Sequence, residues 1–450
     1  MRNLFLSFLG NNRYIPCNYA MGEIKIDNVR FVQQALVRML CADFREPDRI
    51  VIFLTDDARK KNWYDTLQDN QTVPGLKRCL DAMDKGEIVQ PINIPEGKSP
   101  EELWQIFKLV FDVVNENDRV IFDITHGFRS LPMLGMVLLN YARLLKNITI
   151  AGVYYGAFEV LGPSRKVEDM PMEKRNAPIF DLSDFTTLLA WSSGVQEFVR
   201  HGSPAGIAEL LQQAAEPRLG ASKGTDNAGN IWKGVGNNLE KIGGQIATCR
   251  GREIVCGEAF AKLRSYLGQC AGFPDLPAPF RPLIQTIAAK IEPFHENDLE
   301  NCLRAVEWCI EHDLIQQGIT LLQEGLVSLI AQRQGLDWRL EKDRSLVSDA
   351  LSVMGQKTPE SKWEKELRKR PDIACRIIAD PFSAAMVSDF DRLSKARNDL
   401  NHGGFTEPKK AEKMKKTLLS TYALISEGWE VYKSTPCSDS AEDAAKQEGE

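Results

Sequence analysis

Along the first 165 or so residues, short apolar runs alternate with longer stretches of helical period. Leu4 to Leu9 reads as a buried strand, Asn28 to Cys41 as a helix, Arg49 to Leu54 as a strand and Ile88 to Ile94 as a weaker strand. In KSPEELWQIFKLVFDVV, Ser99, Pro100 and Glu102 stand as N-cap, first helical residue and capping-box partner, so a helix begins there. Arg119 to Thr125 reads as a strand, Leu131 to Leu145 as a helix and Ile148 to Tyr155 as another strand. Such alternation predicts right-handed crossovers and an α/β domain whose mainly parallel sheet is covered on both faces.

The pattern changes after Gly162. PSRKVEDMPMEKRNAP is polar and proline-containing, which predicts a linker or a surface excursion. Beyond it the period is helical almost throughout. DFTTLLAWSSGVQEFVRHG and SPAGIAELLQQAAE form amphipathic patterns, and the glycine-rich LGASKGTDNAGN separates them from further helical segments. HENDLENCLRAVEWCIEHDLIQQGITLLQEGLVSLIAQRQG keeps apolar residues three and four apart for several turns, enough for two helices hinged near Glu311 to Asp313. No repeat of solenoid period is present, so the all-α C-terminal half is expected to be a bundle. The small, acidic ending STPCSDSAEDAAKQEGE predicts a disordered tail.

Composition narrows the class. The length of 450 residues suits two or three domains, and 43% hydrophobic with 26% charged residues is ordinary for globular chains. A formal charge of -6 argues against a surface that grips long duplexes through many phosphates, although it leaves room for a local basic patch. The ten cysteines show neither CxxC nor Cys/His ligand spacing, so neither a zinc site nor a disulfide framework is expected. MRNLFLSFLGNNRY carries no small-residue cleavage site, and no window is apolar for long enough to span a bilayer. The expectation is a soluble cytoplasmic protein with reduced thiols.

Candidate chemistry sits where strands end. FLGNNRY, FLTDDAR and DITHGFRS each close a strand with polar residues, and ligands of open parallel sheets bind beyond the carboxyl ends of strands. Gly10 and Gly127 allow close backbone approach, Asn11, Asn12, Thr55, Thr125 and Ser130 can hydrogen-bond, and Arg129 brings charge. Asp56, His126 and Phe128 complete the candidate set. Ser130, before Leu131 and Pro132, has the character of an N-cap whose free N–H groups would face the same region. Neither GxGxxG nor GxxxxGK[ST] is present, which argues against nicotinamide dinucleotide and P-loop chemistry. The plainer alternative is that all three are ordinary strand-ending turns.

DITHGFRSLP closely resembles the DxTHG signature of CRISPR-associated proteins with a CARF domain, and the early FLG is similar to the same group. The resemblance covers about residues 1–160. It implies a Rossmann-like module that pairs with a second copy and binds a cyclic oligoadenylate across the two-fold axis. Carried over, Thr125, His126, Gly127 and Arg129 would line the pocket with Gly10 and Asn11. A ring of identical nucleotides suits an isologous interface.

Near the other end, LSKARNDLNHGGF places Arg397 and His402 in the R-x4-6-H pattern of HEPN ribonucleases, with Asn398 directly after the arginine as in many of them. Arg119 and His126 also fit the spacing, but they span an apolar strand. RNA cleavage without a metal needs an activated 2'-hydroxyl, a protonated leaving oxygen and a neutralised phosphate. If the helix ends at Gly403 and Gly404, the helix dipole favours an imidazolium at His402, which is then the candidate proton donor. Asn398, four residues earlier, shares its helix face. One chain supplies one such histidine, so joint acid and base action would need a dimer.

The resulting organisation is a CARF sensor over 1–165, a helical connector or insertion over 166–292, a HEPN ribonuclease bundle over 293–434 and a tail over 435–450. The expected function is metal-independent cleavage of single-stranded RNA, switched on by cyclic oligoadenylate, in type III CRISPR antiviral defence. Two alternatives stand beside it: a ring nuclease that degrades the cyclic ligand in the CARF pocket, and a non-catalytic sensor that recruits a partner. The charged runs EPKKAEKMKK and SKWEKELRKRPD are either RNA-guiding lips or solvated helix faces, and no site is assigned to them.

Overall fold

The computed structural model describes residues 1–68, 71–126, 131–270, 272, 280–405 and 408–433. The chain divides into two compact units, Met1–Leu189 and Ala190–Glu450. The expected tail over 435–450 lies outside the described residues, as do Gly127, Phe128, Arg129 and Ser130.

The first unit carries strands β1 (Asn3–Leu9), β2 (Cys17–Met21), β3 (Ile24–Val29), β4 (Arg49–Leu54), β5 (Thr66–Gln68), β6 (Gln71–Val73), β7 (Val89–Asn93), β8 (Arg119–Asp123), β9 (Thr149–Gly156) and β10 (Asn176–Asp181). Its helices are α1 (Val32–Leu40), α2 (Asp56–Ala58), α3 (Leu76–Asp81), α4 (Pro100–Val113), α5 (Leu131–Lys146) and α6 (Ser164–Glu168). β5 and β6 pair as a separate hairpin, and the rest form one sheet in the order β3-β2-β10-β9-β8-β1-β4-β7. Within it β7, β4, β1, β8 and β9 are mutually parallel.

β1 explains why the sheet is two-faced. Its apolar run alternates between two cores: Phe5 and Leu9 pack with Val32, Ala35 and Leu36 of α1, while Leu4, Leu6 and Phe8 pack with Ile106 and Val110 of α4 and with Leu138 and Leu139 of α5. A strand buried on both faces needs such continuous apolarity, which is why β1, β4 and β8 are legible. Ser99 caps α4 through Glu102 N, with Pro100 at the first helical position. The Glu102 carboxylate, however, accepts from Lys98 N and not from the cap residue itself.

Two elements depart from the sequence pattern. The segment expected to be helical from Asn28 holds the end of β3, which pairs antiparallel with β2 around Gly22, where φ is +58°; α1 starts only at Val32. The polar run after Gly162 is not a bare linker. It folds into α6 and a short turn, then β10, which pairs antiparallel with β9 and parallel with β2. Asn18 fastens this return: its Nδ2 donates to Met172 O at 2.8 Å, and its backbone N to Arg175 O at 2.7 Å. With only Ala177 and Ile179 buried, β10 is too short to show alternation in the sequence.

α7 (Ser183–His201) bridges the boundary in sequence. The second unit continues with α8 (Ala205–Ala221), α9 (Asn227–Ala247), α10 (Gly251–Cys256), α11 (Glu258–Cys270), α12 (Phe280–Ile291), α13 (Asn301–Glu311), α14 (Ile315–Arg333) and α15 (Glu341–Gln356). It ends with α16 (Lys365–Lys369), α17 (Pro371–Ala379), α18 (Pro381–Asn401) and α19 (Ala411–Lys433). The break between α13 and α14 falls at His312 to Leu314, where the apolar period predicts a hinge. Asp380 locks the bundle near α18: it caps Ser383 N at 2.9 Å and accepts from Arg333 Nε at 3.2 Å and Tyr432 Oη at 2.8 Å. No helix among the described residues is long and apolar enough to cross a membrane.

Candidate functional site

In the first unit the five parallel strands run β7-β4-β1-β8-β9 across the sheet. The chain builds outward from β1 through β4 to β7, then returns to lay β8 and β9 on the other side of β1. The reversal lies between β1 and β8, and a crevice beyond their carboxyl ends is where such sheets take ligands. The loops after these strands are the ones carrying Gly10 and His126.

The two loops meet. A Cβ at Gly10 would stand 3.0 Å from the Tyr14 hydroxyl and 3.4 Å from His126 Nδ1, so this close approach suits glycine. Gly10 N donates to Tyr14 Oη at 2.8 Å, and the Tyr14 ring packs edge-on against the His126 ring at 4.7 Å. His126 is half-buried as a residue, but its Nε2 is shut from solvent and has no hydrogen-bond partner among the described residues. Burial lowers its pKa to about 4, so the ring is neutral near pH 7.

Beneath the loop after β8 lies Asp123, with no exposed surface. Its carboxylate accepts from Ser7 Oγ at 2.6 Å, Thr125 Oγ1 at 2.5 Å and Thr125 N at 2.9 Å. Burial pushes its pKa above the ordinary carboxylate range, against these hydrogen bonds. Thr125 Oγ1 also accepts from Gly156 N at 2.8 Å, so its hydroxyl ties β8 to β9. Thr55, buried at the end of β4, accepts from Ala58 N at 3.2 Å and caps α2. Both threonine hydroxyls, expected to meet ligand, are thus occupied in holding the backbone. Asn11, Asn12 and Asp56 are exposed at the same end of the sheet, and Asn11 Nδ2 lies 3.5 Å from Asp57 Oδ2.

Asn62 has no place among the residues that the sequence singles out. Almost fully buried in the turn Arg59–Trp63, it donates through Nδ2 to Gly10 O at 2.8 Å and Asn12 O at 2.9 Å, fixing the first loop from below. An asparagine inside RKKNW carries no signal of that role.

The second unit holds a different arrangement. Arg397 lies on α18, where its Nη1 donates to Glu324 Oε1 of α14 at 2.6 Å. The other oxygen of Glu324 accepts from Arg344 Nη2 at 2.5 Å, and Arg344 is itself held by Ser328 Oγ at 2.6 Å and Trp338 O at 2.9 Å. Burial raises the Glu324 pKa, but Arg344 and then Arg397 outweigh it and hold the carboxyl below its usual range. Arg397 and Asn401, one turn apart, line a cavity of about 790 Å3, together with Glu324 and Arg344.

Asn398 and His402 do not line that cavity; they are exposed beside it. α18 ends at Asn401 with His402 as C-cap, and Gly403 and Gly404 come next at φ of +64° and +65°. The helix therefore stops where the glycines predict. Gly404 N bonds back to Asp399 O at 3.1 Å, closing the helix end around His402. Arg119 and His126, the competing match, fall at opposite ends of β8 and form no pair. Of the basic run after the motif, Lys415 pairs with Asp313.

Comparison with known proteins finds similarity to CRISPR-associated proteins. Residues 4–159 match the family model described as CRISPR system endoribonuclease Csx1, CARF domain. A curated relative, CRISPR-associated protein MJ1674 of Methanocaldococcus jannaschii, is 34% identical over 236 residues, 52% of this chain and 32% of its own length. The chain thus spans about a third of that relative. Among solved structures, Enterococcus italicus Csm6 bound to cyclic hexa-2'-fluoro-hexa-dAMP is similar with a TM-score of 0.44 and 11% identity, over 98% of this chain and 96% of that one.

Proposed function

We propose that the chain, whose residues 4–159 match the CARF-domain model of CRISPR system endoribonuclease Csx1, is a type III CRISPR effector that binds cyclic oligoadenylate and answers by cutting single-stranded RNA in the cytoplasm. The observation that carries this reading is the meeting of the loops after β1 and β8 at the strand-order reversal, with Gly10 against His126. The ligand would lie over Gly10, Asn11, Asn12, His126, Gly127, Phe128, Arg129 and Ser130. Asp56 would meet it beside Asn11, and Thr55 and Thr125 hold the loops that receive it.

A cyclic ligand fits two copies of the chain better than one, and α5 supports that pairing. Met133, Val137, Tyr141 and Leu144 recur every three or four residues along it and stay exposed, at 76%, 59%, 44% and 81%. Such a stripe on the helix that succeeds the ligand loop suits a seam between identical copies.

Cleavage is assigned to Arg397, Asn398 and His402. His402 at the helix C-terminus would protonate the departing 5'-oxygen, Arg397 would neutralise charge developing on the phosphate, and Asn398 would orient the ring. Attack by the 2'-hydroxyl leaves 2',3'-cyclic phosphate and 5'-hydroxyl ends. The second histidine, acting as base, would come from the partner copy. Ligand acts allosterically by favouring the paired state in which these groups face one scissile phosphate.

The test is RNA cleavage against a panel of cyclic oligoadenylates with chelator present, comparing the native chain with His402→Ala. Ligand-dependent cutting that vanishes in the variant is expected. Cutting that persists removes His402 from the reaction.

A further inference from the structure

The cavity beside Arg397 has a wall with no part in the proposed cleavage chemistry. The segment Thr248–Glu253, which joins α9 to α10 and includes the first turn of α10, lines it across from α14 and α18. The segment belongs to the region between residues 166 and 292, which carries no recognisable motif. It turns sharply at Cys249, where φ is +55°, and brings Arg250 and Arg252 to the cavity rim.

Charge at this cavity is one-sided. Five arginines line it against two glutamates. Arg344 and Arg397 share Glu324, and Arg339 is bound to Asp337 at 2.8 Å. Arg250 and Arg252 are exposed and neither is within salt-bridge distance of a carboxylate among the described residues, although Arg339 and, more weakly, Arg252 lower the pKa of Asp337; Arg250 donates only to the Thr248 carbonyl, at 2.8 Å from Nε. Trp338 lines the same cavity. Unpaired guanidinium groups with an aromatic neighbour, in a cleft that contains the proposed phosphate-neutralising Arg397, have the composition of a surface for a single strand.

We infer that Arg250 and Arg252 bind the phosphates of the RNA strand flanking the cleaved bond, so that the Thr248–Glu253 turn forms the far bank of the substrate channel. The inference rests on the ribonuclease reading and adds to it a substrate-binding element that lies outside the α13–α19 bundle in sequence. A channel built from backbone contacts takes any base, so it contributes affinity and leaves sequence preference to other groups.

The experiment measures binding of a fluorescein-labelled oligouridylate to the full-length His402→Ala protein, with and without Arg250→Ala/Arg252→Ala, over a range of salt. Loss of two phosphate contacts should weaken binding about tenfold and reduce the slope of log affinity against log salt by about 1.4. Arg250→Lys/Arg252→Lys, which keeps both charges, should retain the slope. Unchanged affinity and slope in the alanine variant overturn the inference, and so does competition by a mononucleotide as strong as by the strand, which would make the cavity a nucleotide pocket. The two readings fail separately: binding that ignores the arginines while cleavage needs His402 sinks only this inference, whereas cleavage that ignores His402 while binding needs the arginines sinks only the catalytic assignment.

Discussion

Arg397 on α18 and Glu324 on α14 stand 2.6 Å apart, Nη1 to Oε1, although 73 residues separate them in sequence. The carboxylate holds Arg397 with one oxygen and Arg344 with the other, so it fixes the height of the guanidinium in the cavity wall. Glu324 is a positioning residue for Arg397. Its side chain is 43% exposed, so each ion pair contributes only about 0–1 kcal/mol to stability. Glu324→Gln should therefore leave the melting temperature almost unchanged while lowering kcat for RNA by about tenfold to a hundredfold, the scale set by misplacing a catalytic group. Glu324→Asp should recover part of the loss. A variant with native kcat would show that Arg397 needs no such hold.

Asp123 makes the opposite kind of prediction, in which stability moves first. All three of its hydrogen bonds are accepted ones, and it has no exposed surface. Asp123→Asn turns one acceptor into a donor facing a donor, with Gln33 Nε2 already donating to Ser7 Oγ at 3.1 Å. The buried mismatch should cost about 1–3 kcal/mol. Denaturant unfolding should show the loss, and binding of cyclic oligoadenylate should fall with it because Thr125 loses its anchor. Native stability in this variant would mean that the Ser7 and Thr125 hydroxyls can reverse at no cost.

How far the sequence reveals each element depends on how local its determinants are. Leu4 to Leu9 and Arg49 to Leu54 announce themselves because strands covered on both faces must be apolar throughout. The cap of α4 and the glycine stop after His402 lie within a few residues of the helix ends they define. β10 is hidden because its place depends on Asn18, which is contributed by the far end of the unit. The same limit applies to the sites. Gly10, His126, Arg397 and His402 stand in short motifs, whereas Asn62, Glu324, Arg250 and Arg252 gain their meaning only from residues brought near by folding. Thr55 and Thr125 show the converse, since local chemistry identifies their hydroxyls but not the backbone groups that occupy them.

His126 gives a pH dependence with a definite sign. Its folded pKa is lowered to about 4 by burial, whereas an unfolded histidine titrates near 6.5. The unfolded chain thus binds more protons between these values, so stability rises with pH there. The contribution is fully present above about 6.5 and is lost as pH falls towards 4, amounting to about 3 kcal/mol at most. Denaturant midpoints measured from pH 7 to pH 4.5 should fall more steeply for the native chain than for His126→Gln. Parallel curves would show that the ring is solvated and charges freely in the folded protein.

The α5 stripe decides whether two copies pair through the ligand-binding end. Leu144 is the most exposed member, at 81%, and lies three residues from Tyr141, whose ring packs 5.6 Å from Phe107 of α4. Because Leu144 is free of the unit's own core, Leu144→Glu should leave folding intact, within about 0.5 kcal/mol. Placed at a two-fold seam, the same change would bury two like charges facing each other. The dimer should weaken at least about a hundredfold, or roughly 3 kcal/mol. Sedimentation of the native chain should give a dimer and of the variant a monomer, and the variant should bind cyclic oligoadenylate poorly because each copy then offers half a pocket. A dimeric Leu144→Glu protein with native ligand affinity would place the seam elsewhere and remove the reason for pairing the loops after β8 across it.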